Sequence, residues 1–384
     1  MEGRAMDNHG NTDIKTWTNA ELHTLFNIQS SRQTLLHAER EGKIPTAIRK
    51  SHGQTQVRNW TIDQLPAIGE KYGFISKPTK PTVITVFSPK GGVLKTTVTF
   101  NLARVLAIHN IKTLVIGLDI QKSLTELFFP QGTVETLELA QTELAGLKQY
   151  LVDGYSLDDV IASTDIPTLD IIPENSSLNF LEKWIYGQTA REMTFERDLI
   201  PQLKERGYEV IIFDNSPNWN QLIENSIVSA NVILSPIGCD IGSFQALRTN
   251  IQTMSEFRDT IVDRSRVDNL RNFVLIPTLA ESNKLSRQIL ASYIRDYSDM
   301  ITTTTIRSSV KGQESSALYM SILEYDARSP VAEDYRELIK ELRKKFDETE
   351  NVKEFDSHPP GPEIRKQSAP LPSKVDSQHS EVTA

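Results

Sequence analysis

The chain has 384 residues, 38% hydrophobic and 24% charged, with 18 glycines and 18 prolines, so it is neither disordered throughout, collagen-like nor disulfide-stapled, and its length predicts two or three domains. Lys+Arg 42 against Asp+Glu 50 gives a net charge of −8, which argues against coating nucleic acid along the whole length but leaves room for a local basic patch. The lone Cys239 excludes an internal disulfide framework and any zinc or iron–sulfur site built from several cysteines. It fits a cytoplasmic setting, as does the lack of an apolar signal-peptide core or of any stretch of about 18 apolar residues, so no membrane association is expected.

Residues 1–15 are polar and unpatterned and predict a disordered start. Thr18-Asn19-Ala20-Glu21 is a capping box opening a short helix with Leu22, Leu25 and Phe26 inward. After a turn at 27–30, a second helix capped by Ser30 or Ser31 keeps Leu35 and Leu36 inward and closes at Gly42, the spacing of a helix-turn-helix. Residues 44–48 and 54–60 flank Ser51-His52-Gly53 as a hairpin, or wing, and Thr61-x-x-Gln64 caps a third helix ending near Gly73. Between 30 and 58 lie six basic residues (Arg32, Arg40, Lys43, Arg49, Lys50, Arg58) and two acidic ones (Glu39, Glu41), a net +4 in an acidic chain. Arg32, Gln33 and Thr34 carry donors suited to base edges or phosphates, and Arg49, Lys50 and Arg58 suit phosphates. A small helical domain with an ordinary basic face has the same composition. The module is bounded as 16–76, and the Pro-rich stretch Ser76-Lys77-Pro78-Thr79-Lys80-Pro81 marks an extended linker over 77–82.

From 83 to 345 short apolar runs alternate with helix-length segments. The runs at 83–87, 113–118, 169–172, 210–213, 231–234 and 273–276 read as buried parallel strands of an α/β fold with a doubly wound, mostly parallel sheet. The first leads into Ser88-Pro89-Lys90-Gly91-Gly92-Val93-Leu94-Lys95-Thr96-Thr97 and then a helix, the order a phosphate cradle needs. Backbone N–H groups and the helix N-terminus receive polyphosphate oxygens, Lys95 reaches the β- and γ-phosphates, and the Thr96 hydroxyl ligates Mg²⁺. Gly91 and Gly92 permit close approach, whereas Leu94 stands where a general Walker A has glycine. Asp119 and Asp214 each end an apolar strand. Asp214 has the form of a Walker B carboxylate beside the metal, usually through water; an Asx turn or a strand-end cap is the alternative for both. From Ser357 onward five prolines sit among Ser, Gln and Lys, and 346–384 predicts a disordered tail that disfavours a membrane-binding terminal helix.

Lys90-Gly91-Gly92-Val93-x-Lys95-Thr96-Thr97 resembles the deviant Walker A box of ParA/MinD-type ATPases, and the chain from 83 to 345, with its N-terminal module, is most similar to the large plasmid-partition form. The N-terminal sequence Glu39-Arg40-Glu41-Gly42-Lys43-Ile44-Pro45 with Arg58 and Trp60-Thr61 resembles MerR-type winged helix-turn-helix regulators. The resemblance implies an ATP-sandwich homodimer in which Lys90 reaches the partner's phosphates, with Asp119 positioning the attacking water. It places the ATP contacts on Lys90–Thr97 (Val93 and Leu94 included), and the adenine near Pro277 and Thr278. Ser235-Pro236 and Asp240 resemble the loop near the ribose and switch, and Arg307 and Lys311 the segment contacting non-specific DNA, for which a solvated loop is an equal reading. Gly117, Ile120 and Lys122 depart from the family box, which usually carries two aspartates. The implied function is a nucleoid-associated partition ATPase using ATP and Mg²⁺, stimulated by a ParB-like centromere-binding partner and binding operator and non-specific DNA. The alternative is a DNA-binding repressor with a nucleotide-controlled dimer and little turnover.

Overall fold

A computed structural model describes residues 15–52, 55–129, 144–265 and 272–348. Of the expected disordered start (1–15) and tail (346–384), residues 1–14 and 349–384 lie outside the described residues. The tail starts too early in the sequence reading, since 346–348 continue the helix Pro330–Glu348 with Phe346 buried in the core. Of the expected hairpin turn at 51–53, Ser51 and His52 belong to a strand and Gly53 lies outside the described residues.

Among the described residues seven strands form the main sheet: β4 (Thr82–Val86), β5 (Thr113–Leu118), β6 (Ala162–Ser163), β7 (Leu169–Ile172), β8 (Val210–Asn215), β9 (Val232–Gly238) and β10 (Asn272–Thr278), in the order β10-β9-β4-β8-β5-β7-β6. Every pairing is parallel except β6 with β7. The six runs read from the sequence are all strands; the two-residue β6 is too short to show a pattern. β4, β5, β8 and β9 are buried along their whole length, which is why they read as unbroken apolar runs. β4 lies between β9 and β8, and the register sets Val86 opposite Asp214, itself opposite Gly117 on β5. Three strand ends that carry the candidate chemistry therefore converge.

The N-terminal residues form β1 (Trp17–Thr18), helices α1 (Asn19–Leu25) and α2 (Arg32–Arg40), strands β2 (Ile48–His52) and β3 (Thr55–Trp60), and helix α3 (Leu65–Tyr72). The Thr18–Glu21 capping box is present, Ser31 is the cap of α2, and Gly42 takes φ +66. Two details differ from the sequence reading. Leu36 is half-buried and Ala38 takes the inward position beside Leu35. The first hairpin strand starts at Ile48 rather than at 44, because 45–47 is occupied otherwise: the Trp60 indole donates to the Pro45 carbonyl at 2.9 Å and the Ala47 N–H to Glu39 at 3.0 Å. β1, unforeseen, pairs antiparallel with β3, setting Trp17 opposite Trp60.

Helix α4 (Lys95–Ile108) follows the glycine loop and is buried on nearly every face, as its apolar composition requires. One side packs on the sheet; its end packs on α3. A Cβ on Gly69 of α3 would stand 1.9 Å from the Ile108 carbonyl oxygen, so only glycine admits this approach. The long helix Pro330–Glu348 buries Val331, Tyr335, Leu338, Leu342 and Phe346, an amphipathic stripe. A continuous core runs from Trp17 through α4 and this helix to Phe346, and a second lies on the opposite face of the sheet. Buried Arg104 of α4 binds Glu324 and Asp165 through four hydrogen bonds of 2.7–2.8 Å, tying the helix to both flanks.

Candidate functional site

The loop between β4 and α4 turns on Gly92 at φ +73 and Leu94 at φ +67, and no atom lies within 4 Å of a Cβ built on Gly91 or Gly92. Open space above two side-chain-free residues is the cradle a phosphate chain fills. Leu94 holds the left-handed conformation at a cost of about 1–2 kcal/mol for a non-glycine residue. It stays as N-cap of α4, its carbonyl accepting the Val98 N–H at 2.8 Å.

Lys95, 8% exposed, donates to the Lys90 carbonyl at 3.0 Å, which bends its ammonium back over the loop. Burial lowers its pKa, and the neighbouring Asp214 and Asp119 oppose that shift. The Thr96 hydroxyl donates to Asp214 Oδ2 at 2.7 Å and the Thr99 hydroxyl to Oδ1 at 2.8 Å. Asp214 is wholly buried, and desolvation raises its pKa to about 6 against the pull of the two threonines and Lys95. Asp119, half-exposed, accepts the Gln121 N–H at 3.0 Å, so it does form the turn that was its alternative reading while standing at the mouth of the site. Lys90 is engaged within its own chain, donating to Asp240 at 2.6 Å and Ser243 at 3.0 Å. Asp240 is held down to about 2: against the opposing effect of its slight burial, it accepts from Lys90, from the Ser243 hydroxyl at 2.6 Å and from the Ser243 N–H at 3.0 Å.

A cleft of about 670 Å³, within the range of small-molecule sites, is lined by Lys95, Thr96 and Asp119 of these groups. Gly91, Gly92, Leu94, Lys95, Thr96 and Thr97 form one wall; Asp119, Gln121, Asn179, Glu182, Trp219 and Asn220 form the others. Among the described residues no group of three or more His, Cys, Asp or Glu could hold a metal. Thr96 with Asp214 behind it nevertheless fits Mg²⁺, which is bound by few protein groups and completed by phosphates and water.

The structure brings Gly91, Gly92, Lys95, Thr96, Thr97 and Asp119 together, with Asp214 behind Thr96, whereas Lys90 is turned away to Asp240 and Ser243. Pro277 and Thr278 are buried, and the Thr278 hydroxyl donates to the Val93 carbonyl at 3.1 Å and the Ile237 carbonyl at 3.2 Å. Thr278 thus braces the loop from behind rather than lining the cleft. Far from the cleft in sequence, Arg32, Gln33 and Arg49 are exposed, Thr34 and Lys50 half-exposed, and Arg58 pairs with Glu39 at 3.0 Å. Arg307 binds Asp334 through two side-chain bonds of 2.7 Å, and Lys311 pairs with Asp326 at 2.7 Å. Sequence reasoning missed Thr99, legible as the i+3 neighbour of Thr96 on one helix face, and Trp219 and Asn179, which no local pattern marks. It also missed Glu174, whose buried carboxyl is pushed up to about 8 by desolvation, against its bonds to Thr125 and with help from Asp214 and Asp119.

A family model described as an AAA domain matches residues 81–267. The chromosome partitioning protein ParA of Caulobacter vibrioides is 26% identical over 263 residues, covering 68% of this chain and 93% of that protein. Cobyrinic acid a,c-diamide synthase from Mycobacterium smegmatis, solved with bound ADP and magnesium, shares the fold at a TM-score of 0.55 and 21% identity, covering 68% of this chain and 94% of that one. A structure described as a partition protein does so at a TM-score of 0.62 and 16% identity, covering 88% and 93%. Over these stretches the chain is similar to an AAA-domain family model and to a ParA chromosome partitioning protein. Among the described residues no helix is long and apolar enough to cross a membrane.

Proposed function

We propose that the chain is a partition ATPase that hydrolyses ATP with Mg²⁺, closes as a homodimer around nucleotide and binds DNA. The observation that carries this reading is the Thr96–Asp214 hydrogen bond of 2.7 Å beside buried Lys95, at the foot of a cleft of about 670 Å³. Mg²⁺ supplies charge neutralisation at the phosphates, and Thr96 and Asp214 are the residues that would hold it. Lys95 receives the β- and γ-phosphate oxygens once it leaves the Lys90 carbonyl, and the N-terminus of α4 adds its backbone donors. Asp119 orients the water. Lys90, released from Asp240 and Ser243, serves the second subunit. The N-terminal helices and hairpin are read as a winged helix-turn-helix over 16–76, joined by the linker 77–82 to the ATPase body at 83–345. Arg32, Gln33 and Thr34 of this module face operator DNA, with Arg49, Lys50 and Arg58 on its phosphates. Arg307 and Lys311 serve non-specific DNA, and a ParB-like protein stimulates turnover at the nucleoid.

The second reading, a repressor whose dimer responds to nucleotide with little turnover, is favoured by Leu94 in the left-handed region, and by Gly117 where the family box has a carboxylate. Phosphate release with and without DNA and a ParB-like partner separates the two. Lys95→Ala is expected to abolish nucleotide binding or turnover. Lys90→Ala should keep most of the monomer's nucleotide affinity yet lose ATP-dependent dimerisation in sedimentation with a non-hydrolysable analogue. A Lys95→Ala protein that turns over normally overturns the site assignment.

A further inference from the structure

Helix α5 (Ser123–Phe128) begins directly after the 119–122 turn, and it begins badly. Its N-cap position is Lys122 at φ +59, which offers no side-chain cap, so the N–H groups of the first turn need an acceptor from elsewhere. Glu174, just past the end of β7, provides it. Its Oε2 accepts the Thr125 N–H at 2.7 Å and the Thr125 hydroxyl at 2.6 Å, while the Glu174 N–H donates to that hydroxyl oxygen at 2.9 Å. The clamp is two-way and nearly dry, Glu174 being 2% exposed. Its path depends on β5: a Cβ on Gly117 would lie 2.2 Å from Glu174 Cγ and 2.4 Å from Cδ, so the Glu174 side chain could not keep this position. The other oxygen, Oε1, is buried with no hydrogen-bond partner. A buried carboxyl with one oxygen left without a partner costs free energy, and the Thr125 clamp is kept in spite of that cost.

We propose that Glu174 is a positioning residue for the nucleotide site: running through the space left by Gly117, it clamps Thr125 and so sets where the 119–122 turn, and Asp119 with it, stands against the phosphate end of the cleft. The missing side chain at 117 and the carboxylate at 174 are then one device. This rests on the reading of the cleft as an ATP site with Asp119 orienting water.

The test compares Glu174→Ala, Gly117→Ala, Thr125→Ala and Glu174→Gln in the full chain. The first three break the clamp in different ways: by removing it, by evicting it, and by removing the hydroxyl alone. Glu174→Gln keeps an acceptor for Thr125. Expected is a fall in kcat of about tenfold or more for the first two and several-fold for Thr125→Ala, with affinity for a non-hydrolysable ATP analogue within about threefold of wild type and Glu174→Gln near wild type. Hydrogen exchange without nucleotide supplies an independent readout, since the Thr125 amide should exchange at least about tenfold faster in Glu174→Ala and Gly117→Ala. Unchanged exchange at Thr125 overturns the clamp whatever the chemistry. Faster exchange with unchanged kcat in a protein that hydrolyses ATP overturns the positioning role. A wild-type chain that neither binds nor hydrolyses ATP refutes the reading of the cleft, and the exchange result then judges the clamp alone.

Discussion

Asp214 is the residue on which the site's chemistry and its stability meet. A carboxylate buried to this degree is tolerable because both oxygens have donors, Thr96 on one and Thr99 on the other. Thr99→Val should therefore cost about 1.5–3 kcal/mol in urea denaturation at pH 7.5, the value of a hydrogen bond to a charged group, while Thr99→Ser stays near wild type. Because burial holds the Asp214 pKa near 6, the penalty should shrink in melts at pH 5, where Asp214 is protonated and unpairing it costs less. An equal loss at both pH values is inconsistent with that account. Lys95, Thr96 and Asp214 were legible because strand-loop-helix order and a strand-ending carboxylate are local patterns. Glu174 was not, since its contact runs through Gly117, 57 positions earlier and marked only as a departure from the family box, and through Thr125, which no motif marks.

At the scale of elements, α4 joins the candidate nucleotide loop at its start to the N-terminal module at its end. His109, just past its last turn, donates from Nδ1 to the Val105 carbonyl at 2.7 Å and accepts the Phe74 N–H on Nε2 at 3.2 Å, with Phe26 and Phe74 edge-on to its ring. Only the neutral ring makes both bonds. Burial lowers its pKa to about 4, partly offset by the Val105 carbonyl. The folded value lies below the unfolded one near 6.5, so between the two the unfolded chain binds more protons; the contribution is complete above about pH 6.5 and lost as pH falls towards 4. A gap of this size corresponds to about 3 kcal/mol. Thermal melts between pH 4 and 7 should fall steeply for wild type, and His109→Gln, less stable at pH 7, should have a shallower slope; equal slopes sink the assignment. This junction was invisible to the sequence, which marked a Pro-rich boundary at 77–82 and could not show that Gly69 exists to admit the Ile108 carbonyl. The six apolar runs were legible as strands because burial on both faces leaves no alternation to misread. The first hairpin strand was misplaced because β-branched composition around 44–48 says nothing about Trp60 reaching Pro45.

For the whole molecule the proposed function divides charge between two surfaces, the start of α2 and the segment with Arg307 and Lys311. Arg32, Gln33 and Thr34 open α2 and are exposed or half-exposed, free of the packing that fills the far side of that helix with Leu35 and Ala38. Replacing them should lower operator binding relative to random duplex, by about 1–3 kcal/mol for each side chain that reads a base edge, whatever the nucleotide. The second surface needs a more careful probe than its sequence suggested. Arg307 holds Asp334, whose side chain is 9% exposed, so Arg307→Ala strands a nearly buried carboxylate and weakens the fold along with any hold on phosphate. Lys311 pairs with Asp326 at 2.7 Å with its own side chain 51% exposed, so solvent screens the pair and its loss costs the fold little. Lys311→Ala is therefore the clean variant: it should leave the melting temperature nearly unchanged, weaken ATP-dependent binding to operator and random duplex alike, and lower the salt slope by about 0.9 for the one phosphate no longer neutralised. Titrations of both variant sets on both duplexes, with ATP and with ADP across a salt series, decide the matter. If the α2 variants lose both duplexes equally, or Lys311→Ala loses only the operator, the charge is not divided this way, and a single DNA-binding face on the N-terminal module, as in the repressor reading, accounts for the chain better.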